Sequence, residues 1–342
     1  MPSQTTWQQR RRFERTVKVA EHASEHAGAS GAAQAISHLG FGCSELGSTI
    51  SYGRSCRLLE RAYELGIRHY DVAPAYGDGV AEKIAGDVFG AARADVQFVT
   101  KVGIGRASSG TVRRALRRML VPVKRAFPAL WRSAVHAAGP SSAARGQFDR
   151  TAVRASFSES LRLLRVDGVR GLLLHEAVAR DVDDALLEEL SAICRTGGAQ
   201  SVGLATSLEA TREILPGRSL FTWIQVPHYW GAFSSAIVPL DPGVRATHRV
   251  LRDVGAILAR DDLRAAIDRT DHAIGLPALL SDPHSRSPLL LRAAVLQNAM
   301  GPVLVSTSRL DHLDRLVAAA NDHTLDQAAI ELNACLQAAA IR

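Results

Sequence analysis

The 342 residues exceed what a small disulfide-stapled scaffold needs and suffice for one large α/β domain or two smaller ones. Hydrophobic residues make up 46% and charged residues 22%, near the globular mean, which excludes wholesale disorder. Lys and Arg outnumber Asp and Glu by 41 to 34, a formal charge of +7. That balance suits a generally basic surface, or a field that attracts an anion such as a phosphorylated cofactor or an acidic substrate. No nucleic-acid-binding motif accompanies the charge, so no nucleic-acid partner is expected. Cys43, Cys56, Cys194 and Cys335 stand far apart and form no CxxC pair. A zinc site or a disulfide framework therefore has no support, and reduced thiols in a cytoplasmic protein fit better. No run of 18 apolar residues predicts a membrane helix, so no membrane partner is expected. The basic start around Arg10, Arg11 and Arg12 lacks the apolar core of a secretory signal, and Glu14, Glu21 and Glu25 argue against a transit peptide.

Along the chain, residues 1–35 read as a polar extension, a surface helix followed by a small-residue linker at 27–33. From residue 36 onward short apolar runs alternate with amphipathic stretches. Strands are expected at Ser37–Gly42, Ile67–Val72, Val96–Val102, Val169–Leu174, Gln200–Ala205, Phe221–Val226, Gly255–Ala259 and Pro302–Ser306. Helical patterns fall at Ser55–Leu65, Ala81–Phe89, Thr151–Leu164, Val182–Arg195, Asp311–Ala320 and Leu325–Ile341. Strand–helix alternation without hairpin signals argues for parallel βα units. Eight short strands, none followed by GxGxxG, suit a closed α/β barrel of the (β/α)8 (TIM) type over residues 36–342 better than an open doubly wound sheet. One connection is long: residues 105–148 are rich in Arg and Lys, including Arg113, Arg114, Arg117, Arg118, Lys124 and Arg125. After a third barrel strand such an insertion lies on the catalytic face and covers the site, or it is an irregular basic insertion without a role.

Three consecutive strands end in residues that carry chemistry. Gly-Ile-Arg-His-Tyr-Asp ends a strand at Asp71, and the loop after it delivers Tyr76 and Gly77. Val-Gln-Phe-Val-Thr-Lys-Val brings an apolar strand to Lys101, a cation that needs a partner, for which Asp71 is the evident candidate. Gly-Leu-Leu-Leu-His-Glu ends at His175. Each alone is weak, since a strand-end His is more often a satisfied core residue than a catalyst. The set is specific because four such residues close consecutive βα units on the rim where barrel catalysts sit.

These segments resemble the aldo/keto reductase family. Gly-Ile-Arg-His-Tyr-Asp…Tyr-Gly…Glu (66–82) is similar to its strand-2 signature, Val-Thr-Lys-Val to its strand-3 lysine motif and Leu-Leu-Leu-His to its strand-4 histidine motif. The likeness runs from about residue 37 to 321, and within the family it points to the bacterial aldose or sugar dehydrogenase branch. The resemblance implies a Tyr76 acid/base, a Lys101 that lowers the phenol's pKa, an Asp71 that holds Lys101 and a His175 that orients the substrate carbonyl. It implies hydride transfer from a nicotinamide, with no metal. Gln225 matches the residue that meets the nicotinamide carboxamide. The Ser-Asn pair expected after strand 5 is replaced by Ala205 and Thr206, leaving Thr206 as a hydrogen-bond donor. After the expected strand 7, Ala259-Arg260-Asp261-Asp262-Leu263 departs from the usual aromatic-Ser-Pro-Leu, and Arg260 would stack on the nicotinamide. Ser306, Thr307, Ser308 and Arg309 open the next helix as an anion site. Arg309 matches the residue that meets the adenosine 2′-phosphate, which favours NADPH/NADP+ and leaves NADH open. Ser306 stands where the family usually has Gly, and Arg315 and Leu316 replace its adenine-side acid and amide.

The leading expectation is an NADP(H)-dependent oxidoreductase that interconverts a small carbonyl compound, an aldehyde, ketone or sugar, with its alcohol. His175, Tyr229 and Trp230 are expected to line the substrate pocket. The alternative is a nucleotide-binding regulatory or interaction protein on the same barrel with little turnover. A phosphate-sugar isomerase barrel is disfavoured, because Asp261 and Asp262 stand where a phosphate turn would lie.

Overall fold

The computed structural model describes residues 38–90, 94–106, 146–230, 243–252, 254–269 and 275–340. The 1–35 extension and most of the 105–148 insertion lie outside the described residues. In chain order the elements are β1 (Leu39–Gly42), α1 (Tyr52–Glu64), β2 (His69–Asp71), α2 (Ala81–Val88), β3 (Gln97–Val102), α3 (Arg150–Leu164), β4 (Gly171–His175), α4 (Asp184–Arg195), β5 (Val202–Ala205), α5 (Leu208–Ile214) and β6 (Phe221–Pro227). They continue with β7 (Val244–His248), α6 (Val254–Leu258), α7 (Asp261–Asp268), α8 (Leu276–Ser281), α9 (Pro283–Gln297), β8 (Val303–Val305), α10 (Leu310–Ala320) and α11 (Asp326–Ala340). All strand pairs are parallel and β8 pairs back onto β1, closing the eight-stranded barrel that the alternation implied. Among the described residues no helix is long and apolar enough to cross a membrane.

Two apolar layers hold the barrel. The outer one lies between sheet and helices, where the buried face of α1 (Leu58, Leu59, Ala62) and those of the other helices pack on the strands. Side-chain caps mark several helix starts. Asp149 accepts from Ala152 N, Asp183 from Leu186 N and Ser207 from Ala210 N, each taking up an orphan donor of its first turn. The inner layer fills the lumen with Val99, Leu173, Ala205, Trp223 and Ala246 from five strands. Below it, His69 stacks on Trp223 with ring centroids 5.7 Å apart. Gly40 makes room for this floor, because a Cβ there would meet the His69 ring at 2.5 Å.

The expectation of a strand at Gly255–Ala259 is corrected. That stretch is mostly the short helix α6, and the seventh strand lies earlier in the chain. Val244 to His248 pair residue by residue with Trp223 to Pro227 of β6. Ala246 faces the lumen, while Thr247 turns outward to α9, where Asn298 Nδ2 donates to Arg245 O (3.0 Å) and to Thr247 Oγ1 (3.4 Å). The strand carries Arg245 on its outer face, so it does not read as an apolar run. Gly-Ala-Ile-Leu-Ala is apolar over five residues, a length at which period alone does not separate helix from strand.

Strands β5 and β6 meet unusually closely. The register shifts between Val202 and Gly203, and a Cβ on Gly203 would stand 1.9 Å from the Trp223 carbonyl oxygen. Gly203→Ala is therefore expected to push these neighbouring strands apart and destabilise the fold by about 1–3 kcal/mol. A thermal unfolding curve unchanged by that substitution would contradict the close approach.

Candidate active site

The rim at the C-terminal ends of the strands is built from β2, β3 and β4. Asp71 points inward at the end of β2, 3% exposed, and its carbonyl accepts from Cys43 N (3.0 Å) in the loop after β1. Lys101, 1% exposed, donates to Asp71 Oδ1 and to the Val72 carbonyl oxygen (3.1 Å). A buried ammonium needs both a counter-charge and further acceptors, and these two supply them.

Tyr76 is delivered by a turn whose backbone demands glycine. Gly77 has φ 60°, and a Cβ there would lie 1.8 Å from the Leu46 carbonyl oxygen. Asp78 follows in the same left-handed region at φ 56°. Gly77 N donates to Ser44 O (3.1 Å), which ties the turn to the β1 loop. The phenol then lies over Lys101, with Nζ 4.6 Å from the ring centroid. Its hydroxyl donates to Asp71 Oδ2 at 3.4 Å. His175 stands edge-on to the same ring, centroids 5.8 Å apart at 87°. The four residues of the rim set are thus brought together.

Burial pushes the Tyr76 phenol up to about 12, and the Asp71 carboxylate adds to the rise, while the Lys101 ammonium pulls the other way by charge and hydrogen bond. The expected lowering of this pKa by Lys101 is present as an influence but is outweighed. Burial opposes the Lys101 charge too, yet Asp71 and Tyr76 hold its pKa above the ordinary lysine value. At neutral pH the phenol is therefore a proton donor beside a fixed cation.

A second buried carboxylate fixes this assembly from outside the barrel. Glu82, 1% exposed on α2, accepts from Thr100 Oγ1 (2.6 Å) of β3 and from Arg106 Nη2 (2.5 Å). The same guanidinium nitrogen donates to Ser160 Oγ (2.9 Å) on α3. Thr100 and Lys101 point to opposite sides of β3. The helix that follows the Tyr76 turn is thereby pinned to the strand that carries Lys101.

The four residues line a cleft of about 740 Å³, within the range of ligand pockets. Thr206, Gln225, Tyr229 and Ser306 line it as well. Gln225 is 5% exposed, and its Oε1 has no hydrogen-bond partner among the described residues. Thr206 Oγ1 donates to Ala177 O (2.9 Å), so its proton is spent and only its lone pairs face the cleft. That corrects its expected role as a donor.

Two further expectations fail, and each has a physical reason. Arg260 does not line the cleft. It caps the start of α7, where it holds Asp262 at 2.5 and 3.0 Å and reaches the Ala339 carbonyl oxygen at 3.5 Å. The error descends from the misplaced seventh strand. Trp230 is not a lining residue either: it is 8% exposed, its indole N–H donates to Val250 O (3.3 Å), and His228 packs edge-on against it. Thr307, Ser308 and Arg309 stand outside the described lining, at the start of α10. Arg309 is exposed and pairs with Asp311 at 2.5 and 3.0 Å.

Residues that sequence reasoning missed include His248 and Arg249, at and just after the end of the true β7, and Glu176, next to His175. The missing signal for the first two was the strand itself. For Glu176 the signal was present, in the His-Glu pair that ends the fourth strand.

The chain matches the model of the aldo/keto reductase family over residues 38–223, more than half its length. It belongs to the aldo/keto reductase family, a family of oxidoreductases. It is 30% identical over 169 residues to a D-threo-aldose 1-dehydrogenase from a Pseudomonas species, a match covering 48% of this chain and 47% of that protein. This chain thus spans about half the length of that curated relative. Among solved structures, a glycerol dehydrogenase from Gluconobacter oxydans superposes with a TM-score of 0.58 at 16% identity, covering 87% of this chain and 91% of that one. A Klebsiella pneumoniae aldo-keto reductase in complex with NADPH gives 0.55 at 17% identity, covering 87% and 90%. These two likenesses establish the barrel.

His69 and His228 are buried and His248 is half-buried, and all three are held as neutral rings. Burial lowers His69 to about 3, with Lys101 adding to it, and lowers His228 to about 4. His248 falls to about 4 through burial, then Arg249 and Lys101. Each folded value lies below the unfolded value of about 6.5, so the stability they contribute is complete above pH 6.5 and is lost as pH falls towards 4. The melting temperature is expected to be level from pH 8 to 7 and to drop steeply from 6.5 to 4, with up to about 3 kcal/mol at stake per ring. Thermal melts across that interval test it, and a flat profile would contradict the buried neutral rings.

Proposed function

We propose that the protein is an NADP(H)-dependent oxidoreductase that interconverts a carbonyl group and an alcohol, with a small aldehyde, ketone or sugar as substrate. The observation that carries this reading is the Tyr76 ring over the Lys101 ammonium, with His175 edge-on and Asp71 behind. A bound nicotinamide would supply or accept the hydride. The protein's own part is to place a proton at the carbonyl oxygen.

In reduction Tyr76 gives that proton to the oxygen as it gains charge. The phenolate then forms beside Lys101, whose charge is otherwise balanced by Asp71, and the cation stabilises the anion most when the proton has left. In the direction of oxidation the same phenolate accepts the proton. Its resting value of about 12 favours the donor role. His175 would orient the carbonyl oxygen toward the phenol.

The residues present fit a nicotinamide cofactor. The unsatisfied Gln225 Oε1 suits the amide N–H of a carboxamide, and Thr206 Oγ1 retains acceptor capacity towards the same group. Ser306 lines the cleft beside β8 and would meet the diphosphate. Arg249 takes over the place expected for Arg260, as the arginine that follows the seventh strand. Arg309 would meet the 2′-phosphate by exchanging its exposed contact with Asp311 for a more highly charged partner.

Two measurements test this reading. Protein fluorescence is expected to report NADPH binding, and Tyr76→Phe to keep that affinity while lowering kcat by about a hundred- to ten-thousandfold. Turnover equal to that of the wild type would exclude Tyr76 as the acid. Arg309→Ala is expected to weaken NADPH by about tenfold or more in Kd while leaving NADH nearly unchanged. An unaltered ratio of the two constants would refute the 2′-phosphate contact.

A further inference from the structure

Among the described residues Arg106 is the only cation within ion-pair distance of the buried Glu82 carboxylate. Neither group lines the cleft, and neither takes part in the proton transfer proposed above. The backbone that delivers Arg106 straddles the end of β3. Ile104 faces the cleft, and Gly103 O accepts from Gln147 N (3.0 Å). Gly103 also lies so close to Phe148 that a Cβ would meet its ring at 2.2 Å. Two residues after Ile104, Arg106 reaches back to α2 and α3 outside the barrel. The carboxylate it holds is placed to move Tyr76. Glu82 sits in the first turn of α2, and the Tyr76 turn runs into that helix without a break: Val80 N donates to Gly77 O (3.3 Å) and Ile84 N to Val80 O (3.0 Å). The other oxygen of Glu82 holds Thr100, the chain neighbour of Lys101. A carboxylate of 1% exposure that loses its cation must turn towards water, bind a proton or draw in another charge. Each of these alters the hold of α2 on β3.

We propose that Arg106 is a positioning residue which, acting through Glu82, sets the seat of the Tyr76 phenol over the Lys101 ammonium. Its effect on turnover rests on the carbonyl–alcohol reading of the cleft, whereas its effect on the phenol does not. A guanidinium suits the task. One of its nitrogens donates both to the Glu82 carboxylate and to Ser160 Oγ, so that a single rigid group joins α2 to α3. A lysine would bring the charge without that fixed geometry. The phenol is sensitive to small displacements because opposed influences meet on it. Burial, Asp71 and Cys43 raise its pKa, while the charge and hydrogen bond of Lys101 lower it. A ring that shifts against these neighbours, or against the His175 edge, no longer holds the same balance.

The test labels the full chain with 3-fluorotyrosine. It has five tyrosines, and the Tyr76 fluorine resonance is the one absent from Y76F. R106M is expected to move that resonance and to change the pH midpoint of its titration by about half a pH unit or more. R106K should fall between R106M and wild type, and because it keeps the charge it carries the same comparison if R106M does not fold. E82Q/R106M leaves no buried charge without a partner and keeps an acceptor for Thr100, so its resonance should return towards the wild-type position. A resonance and midpoint unchanged in R106M, or in R106K where R106M does not fold, would overturn the proposal. A double variant displaced as far as R106M would overturn the route through Glu82. In turnover of propanal, glyceraldehyde or 4-nitrobenzaldehyde with NADPH, R106M is expected to lose about tenfold or more in kcat, with NADPH affinity by protein fluorescence within about twofold of wild type. A wild-type protein that reduces none of the three would overturn the carbonyl–alcohol reading and the role in turnover, while the fluorine spectra would still decide the seat of the phenol.

Discussion

The site depends on one buried ion pair, Lys101 with Asp71. In a protein interior such a pair returns little net stability, because desolvating two charges cancels most of their attraction. Breaking it is another matter, since a lone ammonium with 1% exposure would remain. The pair is better understood as a means of storing a positive charge beneath an aromatic hydroxyl. While the phenol is protonated, Asp71 balances the cation. In the proposed reaction the proton would leave with the same cation already in position for a second anion, so that no solvent need reorganise. The high resting value of Tyr76 is the other side of this arrangement, since the carboxylate that anchors Lys101 also repels the phenolate.

Much of the fold was readable because βα repetition leaves a strong trace. Seven of the eight strands begin or end within about two residues of where apolar runs place them, as at Val202–Ala205 and Gln97–Val102. The chemistry-bearing rim was readable for a related reason. Asp71, Lys101 and His175 each terminate an apolar run, so their place at a strand end is fixed by the strand itself. The seventh strand was not readable, because Arg245 faces outward and Thr247 serves α9, leaving no apolar signature. That single misplacement put the expected arginine at Arg260, whereas the arginine that follows the seventh strand and lines the cleft is Arg249. Trp230 misled differently: an aromatic after a barrel strand reads alike whether it lines a pocket or closes a core, and only its hydrogen bond to Val250 decides. The left-handed backbone at Glu176 and Arg249 has no sequence mark at all, since neither residue type favours it.

The turn that carries Tyr76 and the outer shell of the barrel are mechanically joined. Gly77 admits the Leu46 carbonyl, Gly86 packs α2 so closely on α3 that a Cβ would lie 2.0 Å from the Leu163 carbonyl oxygen, and Glu82 reaches β3 and Arg106. None of these groups faces the cleft. Together they tie the turn that carries Tyr76 to the strand that carries Lys101, and the proposed proton transfer would depend on that placement.

The stacked rings of His69 and Trp223 have a consequence for traffic through the molecule. Those rings and the apolar side chains of Val99, Leu173, Ala205 and Ala246 fill the lumen among the described residues. In the proposed reaction a proton shed or taken up by Tyr76 would exchange through the mouth, which the cleft opens to. Whatever occupies the mouth also stops exchange with bulk solvent, so filling the cleft would by itself isolate the acid for the length of a turnover.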